Sequence, residues 1–195
     1  LPGVYRGARN RDLNPGGKNV VLRSSDGPGA TIIDCQRRGR GFVVNQGEGR
    51  DLVIEGFTVK NARDGGPDGG AGMLLDGSSP TLREMVFSSC SAGGAGGGLR
   101  CDNGASPLLE RCVFRWNEAG LTGGAVAAFD GSAPELSGCT LALNSAPGCG
   151  GIYSSASSPL ITDTVIYGSP TGSAVACGDG ASASVIHSCI HANAG

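Results

Sequence analysis

Aromatic side chains are scarce, at 5% of 195 residues with a single Trp, so a core of helices wedged apart by large rings is not expected. Neither charge dominates. Fifteen Lys and Arg against 17 Asp and Glu give a net charge of -2, which leaves no electrostatic footprint for nucleic acid or an anionic membrane. No apolar run approaches the roughly 18 residues of a membrane-spanning helix, and no charged-then-apolar signal segment opens the chain. The first residues, Leu1-Pro2-Gly3-Val4-Tyr5, are already strand-like, and the expectation is a fragment or processed product of a longer chain. The eight cysteines, at positions 35, 90, 101, 112, 139, 149, 177 and 189, include no CxxC pair. Zinc or thioredoxin-like chemistry is therefore not expected, and the cysteines read as buried small residues with at most one or two disulfides.

What the chain has in abundance is glycine, 36 residues, which favours many tight turns. Those turns recur. Pro80, Pro107, Pro134, Pro159 and Ala183 are spaced by 27, 27, 25 and 24 residues, the length of one coil of a β-solenoid rather than of a helical repeat. Two residues after each anchor stand Leu82, Leu109, Leu136, Ile161 and Val185. Five after stand Met85, Cys112, Cys139, Thr164 and Ser188, and seven after stand Phe87, Phe114, Leu141, Ile166 and Ile190. The last two columns, two residues apart, share one face of a strand, and the three-residue step before them implies a bend. A turn column of Asp76, Asn103, Asp130, Ser155 and Asp179 precedes the anchors. A third strand follows each glycine cluster, as in Gly72-Met73, Gly98-Leu99 and Gly151-Ile152.

The pattern predicts an all-β chain: a single right-handed parallel β-helix (β-solenoid) domain over residues 1–195, with about eight rungs and three short strands per rung. Residues 62–71 break the rhythm and are the expected outward excursion. On the outer faces Arg83 and Glu110 fall in one column and Glu84 and Arg111 in the next, so opposite charges are expected to meet across rungs. Cys112 and Cys139 are expected to stack in the core as free thiols. Asn117, Asn144 and Asn193 share a column with Cys90 and Ser169, and form an expected ladder of amides that satisfies turn backbone.

Gly123-Gly124-Ala125-Val126 and Phe114-Arg115-Trp116-Asn117 resemble the Gly-Gly-Ala-aliphatic and Phe-x-x-Asn motifs of the chlamydial polymorphic membrane proteins. Looser versions are Gly97-Gly98-Leu99, Gly150-Gly151-Ile152, Leu141-Ala142-Leu143-Asn144 and Phe87-Ser88-Ser89-Cys90. The resemblance spans residues 50–195 and implies an adhesive, surface-delivered β-helix. The fold is also shared by pectate-lyase-like enzymes, which use acidic side chains around calcium and a basic residue that takes a proton.

Candidates for such chemistry are Asp76, Asp102 and Asp130 with Arg100, and the loop containing Arg63, Asp64 and Asp68. His187, Cys189 and His191 are expected to alternate along one strand and share its outward face, an arrangement able to offer two ligands to a zinc or copper ion. Two of the three aspartates belong to Asp-Gly turns, where backbone geometry alone explains them. The expected function is a non-catalytic extracellular or cell-surface module for adhesion, scaffolding or assembly, with no catalytic, cofactor-binding or metal residues and no cofactor. Expected partners are other protein modules or surface polysaccharide, with no nucleic acid and no membrane insertion. The alternative is a carbohydrate-active enzyme or carbohydrate-binding domain; clustered Asp and Arg in a shallow groove would favour it, and exposed strand ends would favour assembly.

Overall fold

The computed structural model describes residues 1–191. Its longest sheet has eight parallel strands, from Gly3–Tyr5 through Thr31–Asp34, Thr58–Lys60, Val86–Ser88, Val113–Arg115, Thr140–Ala142 and Val165–Tyr167 to Cys189–His191. A seven-strand sheet runs from Val21–Arg23 to Ser184–Ile186, and a six-strand sheet from Phe42–Val44 to Ser173–Gly178. A ribbon of three short strands joins Arg63–Asp64, Ser91–Ala92 and Glu118–Ala119. The only helical element among the described residues is a 3-10 turn, Ala8–Asn10. The chain is thus a β-solenoid of about seven turns, close to the eight rungs expected, since its three main sheets hold eight, seven and six strands.

Most strands bury one or two side chains, and the strand register stacks them into columns. Ile33, Val59, Phe87, Phe114, Leu141 and Ile166 form one continuous inward column, all of them buried. The Phe87 and Phe114 rings stack at 4.9 Å with 14° between their planes. Ile54, Leu82, Leu109, Leu136 and Ile161 form the second column. Burying a side chain of this size contributes about 1.5–3 kcal/mol, so the columns supply most of the driving force.

The corners explain why three short strands close a rung. Between the seven- and eight-strand sheets one residue per rung takes the left-handed conformation: Glu84 (φ 48), Arg111 (φ 52), Gly138 (φ 62), Asp163 (φ 50) and His187 (φ 49). The next corner does the same with Asn61, Ser89, Trp116, Leu143 and Gly168. A left-handed non-glycine residue costs about 1 kcal/mol, and the columns on either side offset that cost.

The third corner corrects the turn column. Asp76 pairs with Asp102 in the six-strand sheet, not with Asn103. The left-handed column is Gly77, Asn103, Asp130, Ala156 and Asp179, with Asp76 and Ser155 one residue earlier. Counting back from the proline misplaces both, because the turn into the seven-strand sheet is one residue shorter after Gly77 and Ala156 than after the others. His187 is also corrected: it occupies a corner, not the strand Cys189–His191, so the three residues do not alternate along one strand.

The amide ladder is present. Asn117 accepts a hydrogen bond from the Cys90 backbone N–H at 3.0 Å and donates from Nδ2 to the Phe87 carbonyl at 3.0 Å. The Asn144 Oδ1 accepts from both the Asn117 backbone N–H and its Nδ2, each at 3.0 Å. Asn144 donates in turn to the Phe114 carbonyl at 2.9 Å. Asn193 lies outside the described residues.

All eight cysteines are free and six are buried. Cys112 and Cys139 stack as expected, and each thiol donates to a backbone carbonyl of the preceding rung, Leu82 and Leu109 respectively. Burial pushes the Cys112 thiol well above its ordinary range, helped by the adjacent Cys139. Burial likewise raises Cys90 to about 12 and Cys149 to about 11. A thiol reagent applied to the folded protein is therefore expected to modify exposed Cys177 and Cys189 at once, and the other six only after denaturant is added. Rapid modification of Cys112 and Cys139 without denaturant would contradict the packing described.

Candidate functional site

The outer face of the six-strand sheet carries the candidate acids. Arg100 and Asp102 belong to one strand, two residues apart, and so point to the same side. The Arg100 Nε donates to both Asp102 oxygens, at 2.7 and 3.0 Å. Its guanidinium lies 4.8 Å from the centre of the Phe129 ring, and Phe129 packs on Tyr153 with centroids 5.7 Å apart. Register places Arg100 beside Leu74 and Ala127, and Ala127 beside Tyr153. Burial raises the Asp102 carboxyl, with the charges of Asp130 and Asp76 adding to it, and the Arg100 hydrogen bond and charge offset only part of that rise. Asp76 accepts a hydrogen bond from the Asn103 side-chain amide at 2.7 Å.

Asp102 therefore has both oxygens committed to Arg100, and the three aspartates do not form a cage. Among the described residues no three His, Cys, Asp or Glu side chains converge to hold a metal ion. His187 instead approaches Asp163, with Nδ1 4.0 Å from Oδ1.

Residues 62–71 are pinned rather than free. The Asp64 carboxylate accepts from the Gly69 N–H at 2.9 Å and pairs with Arg40 at 3.1 Å. Arg40 also donates to the Gly69 carbonyl at 3.0 Å, and Arg100 donates to the Asp68 carbonyl. The strand Arg63–Asp64 runs along Ser91–Ala92, so the segment follows the stack as part of the three-strand ribbon. It does not form the outward excursion expected of it. Arg63 and Asp68 remain exposed.

The cross-rung charges meet on the seven-strand face and at the corner beside it. Arg23 and Glu55 pair at 3.0 Å, Arg83 pairs with Glu110, and Arg111 with Glu84 at 3.2 Å. Arg23, Glu55, Arg83 and Glu110 lie in one continuous column of alternating sign. These pairs are exposed or half-exposed and tune register rather than hold the fold. Glu48 was not singled out by the sequence reading. It is buried at the N-terminal end and accepts from the Gln46 and Gly17 N–H groups and from the Ser78 hydroxyl. Burial raises its carboxyl, but those hydrogen bonds prevail and hold it below the usual range. Its only sequence signal is a lone Glu among Gly and Asn residues.

The two ends of the stack differ from the middle. Leu22 and Tyr5, which head the inward columns, are exposed, as are Val21 and Val4. A cavity of about 340 Å³ opens there between Leu13, Pro15, Val20, Leu22, Phe42 and Ile54. At the opposite end the inward residues Val185 and Ile190 are exposed, together with Ile186.

A protein family described as a right-handed beta helix region matches residues 20–195. No curated protein and no solved structure matches the chain. The likeness of the Gly-Gly-Ala and Phe-x-x-Asn segments to chlamydial sequences thus remains a likeness of rung motifs.

Proposed function

Because the chain belongs to the right-handed β-helix family, we propose that it is a non-catalytic module of an extracellular or cell-surface protein, serving adhesion, scaffolding or assembly. The observation that carries this reading is the regular stack of parallel rungs, whose inward columns from Ile33 to Ile166 and from Ile54 to Ile161 are apolar throughout. The outer-face charges support the same reading, since Arg23, Arg83, Arg100 and Arg111 are each engaged with a carboxylate of the chain.

A second reading, carbohydrate binding or turnover, is favoured by one feature: the Arg100–Asp102 pair laid against Phe129 and Tyr153. Aromatic rings beside a charged hydrogen-bonding pair suit a sugar ring. The two readings are separated by incubating the chain with polygalacturonate, alginate and glycosaminoglycans, with and without calcium, and measuring unsaturated products and new reducing ends. Neither is expected. Activity that disappears in Arg63→Ala, Asp68→Ala or Arg100→Ala would overturn the non-catalytic assignment.

A further inference from the structure

Beyond residue 40, unpaired positive charge is confined to one edge of the solenoid. Arg50, Lys60, Arg83, Arg100 and Arg111 each have a carboxylate within ion-pair distance. Arg63 and Arg115 are exposed and have none among the described residues. Both stand where the eight-strand sheet turns into the three-strand ribbon, and Lys60 stands beside them. Lys60 shares its carboxylate, Asp34, with Arg6, so the edge keeps an excess of positive charge.

Three successive rungs meet on that edge in register. Ser88 lies between Lys60 and Arg115 in the eight-strand sheet, and Ser91 between Arg63 and Glu118 in the ribbon. At the corner joining them, Ser89 lies between Asn61 and Trp116. The middle rung is thus a row of short hydroxyl side chains with longer ones on both sides. Phe87 points inward, so Ser88 points out, yet it is only 6% exposed. None of the three serine hydroxyls has a hydrogen-bond partner among the described residues, and buried polar groups ordinarily have one. Trp116 is 52% exposed in a left-handed conformation, φ 56, at a corner that other rungs fill with Asn61, Ser89 or Gly168. A bulky ring there strains the backbone and buries little, which is the mark of a residue kept for a ligand. The Arg115 guanidinium lies 4.8 Å from the centre of its ring.

We propose that this edge binds an acidic polysaccharide, with one anionic sugar seated over Ser88, Ser89 and Ser91. Arg115, Lys60 and Arg63 take its carboxylate or sulfate through charge-assisted hydrogen bonds. The serine hydroxyls meet the sugar hydroxyls, and the Trp116 ring offers an apolar face to the sugar ring. A polymer fits better than a single sugar, because Arg37 and Arg38, exposed and likewise without a carboxylate, occupy the same corner one rung earlier. The Arg37 N–H bonds to the Asn61 carbonyl at 2.7 Å. Cations therefore recur over three rung spacings, about 14 Å along the stack. Nucleic acid fits less well, since single strands stack on successive rings and these three rungs expose one. The proposal rests on the adhesive part of the reading above and names its ligand and surface; that surface is separate from the Arg100–Asp102 patch on the six-strand sheet.

The test is biolayer interferometry of the chain on immobilised polygalacturonate, dextran sulfate, neutral dextran and single-stranded DNA. The wild type is expected to bind at least one acidic polysaccharide and not dextran, and the preferred one identifies the anion as carboxylate or sulfate. Arg115→Gln and Trp116→Asn are each expected to weaken binding roughly tenfold. Asparagine suits the left-handed corner, as at Asn61, and circular dichroism checks that each variant keeps the fold. Ser91→Glu, which sets a second carboxylate beside Glu118, is expected to abolish binding. Arg111→Gln, at the corner on the other side of the eight-strand sheet, is expected to bind as wild type does. Raising salt from about 0.05 to about 0.5 M is expected to weaken binding roughly tenfold. The proposal is overturned by a wild type that binds neither acidic polysaccharide, or that binds dextran or DNA equally well. It is also overturned if Ser91→Glu binds normally, or if Arg100→Gln loses binding while Arg115→Gln keeps it. Failure of binding leaves the non-catalytic assignment standing, because that assignment is decided by the release of unsaturated products and reducing ends.

Discussion

Replacing Asn117 by Leu is expected to destabilise the protein by about 4 kcal/mol and to lower its Tm by about 10 °C. Asn117 is fully buried, and its side chain is the acceptor for the Cys90 N–H and a donor to both the Phe87 carbonyl and the Asn144 amide. Leucine has nearly the same size but offers none of these partners, so the loss is a matter of hydrogen bonding rather than of volume. Each buried polar group left without a partner costs about 1–3 kcal/mol, and the substitution strands the Cys90 donor while depriving two acceptors of a bond. Thermal and urea unfolding followed by circular dichroism give the measurement. A Tm within about 2 °C of wild type would mean that the ladder carries little stability. Because neighbouring rungs share the ladder, the loss is expected to be felt on both sides of the substituted rung, from Phe87 to Asn144.

Gly124→Ala is the second large effect, expected at about 3 kcal/mol from overpacking alone. A Cβ at this position would sit 2.6 Å from the Gly150 carbonyl oxygen, 2.6 Å from that of Ser145 and 2.7 Å from the Ser145 nitrogen. All three are backbone atoms of the adjacent rung, so no side chain can swing aside and the rungs must separate. Gly131→Ala is the comparison. Gly131 is left-handed, with φ 77, but nothing lies within 4 Å of the added carbon, so only the conformational cost of about 1 kcal/mol applies. Unfolding curves for the two variants side by side separate steric exclusion between rungs from strain within one. Equal losses would show that conformation, not rung spacing, explains the glycine clusters.

Periodicity is the reason so much of the fold was legible. A parallel solenoid places equivalent residues one above another, so the column Leu82, Leu109, Leu136, Ile161 reads directly as a buried stack. The bend before Met85 and Cys112 was equally visible as a step of three in place of two. The cross-rung pairs Arg83–Glu110 and Glu84–Arg111 followed from the same register. The periodicity misleads where the period itself varies: one residue gained or lost in the turn after the six-strand sheet moves Asp76 and Ser155 off the left-handed column.

The sequence by itself determined the stacked columns, the bend before Met85 and Cys112 and the free Cys112–Cys139 pair, because each depends only on which residue type recurs at one rung's spacing. The tertiary structure alone decided what the non-repeating side chains touch. Arg100 lies against Phe129 from the following rung, Asp64 closes on Gly69 and Arg40, and Glu48 gathers donors from Gln46, Gly17 and Ser78. Such contacts join positions of different character at irregular separations, so no period announces them. Their geometry is set by how neighbouring rungs pack, which a repeat in the chain leaves open.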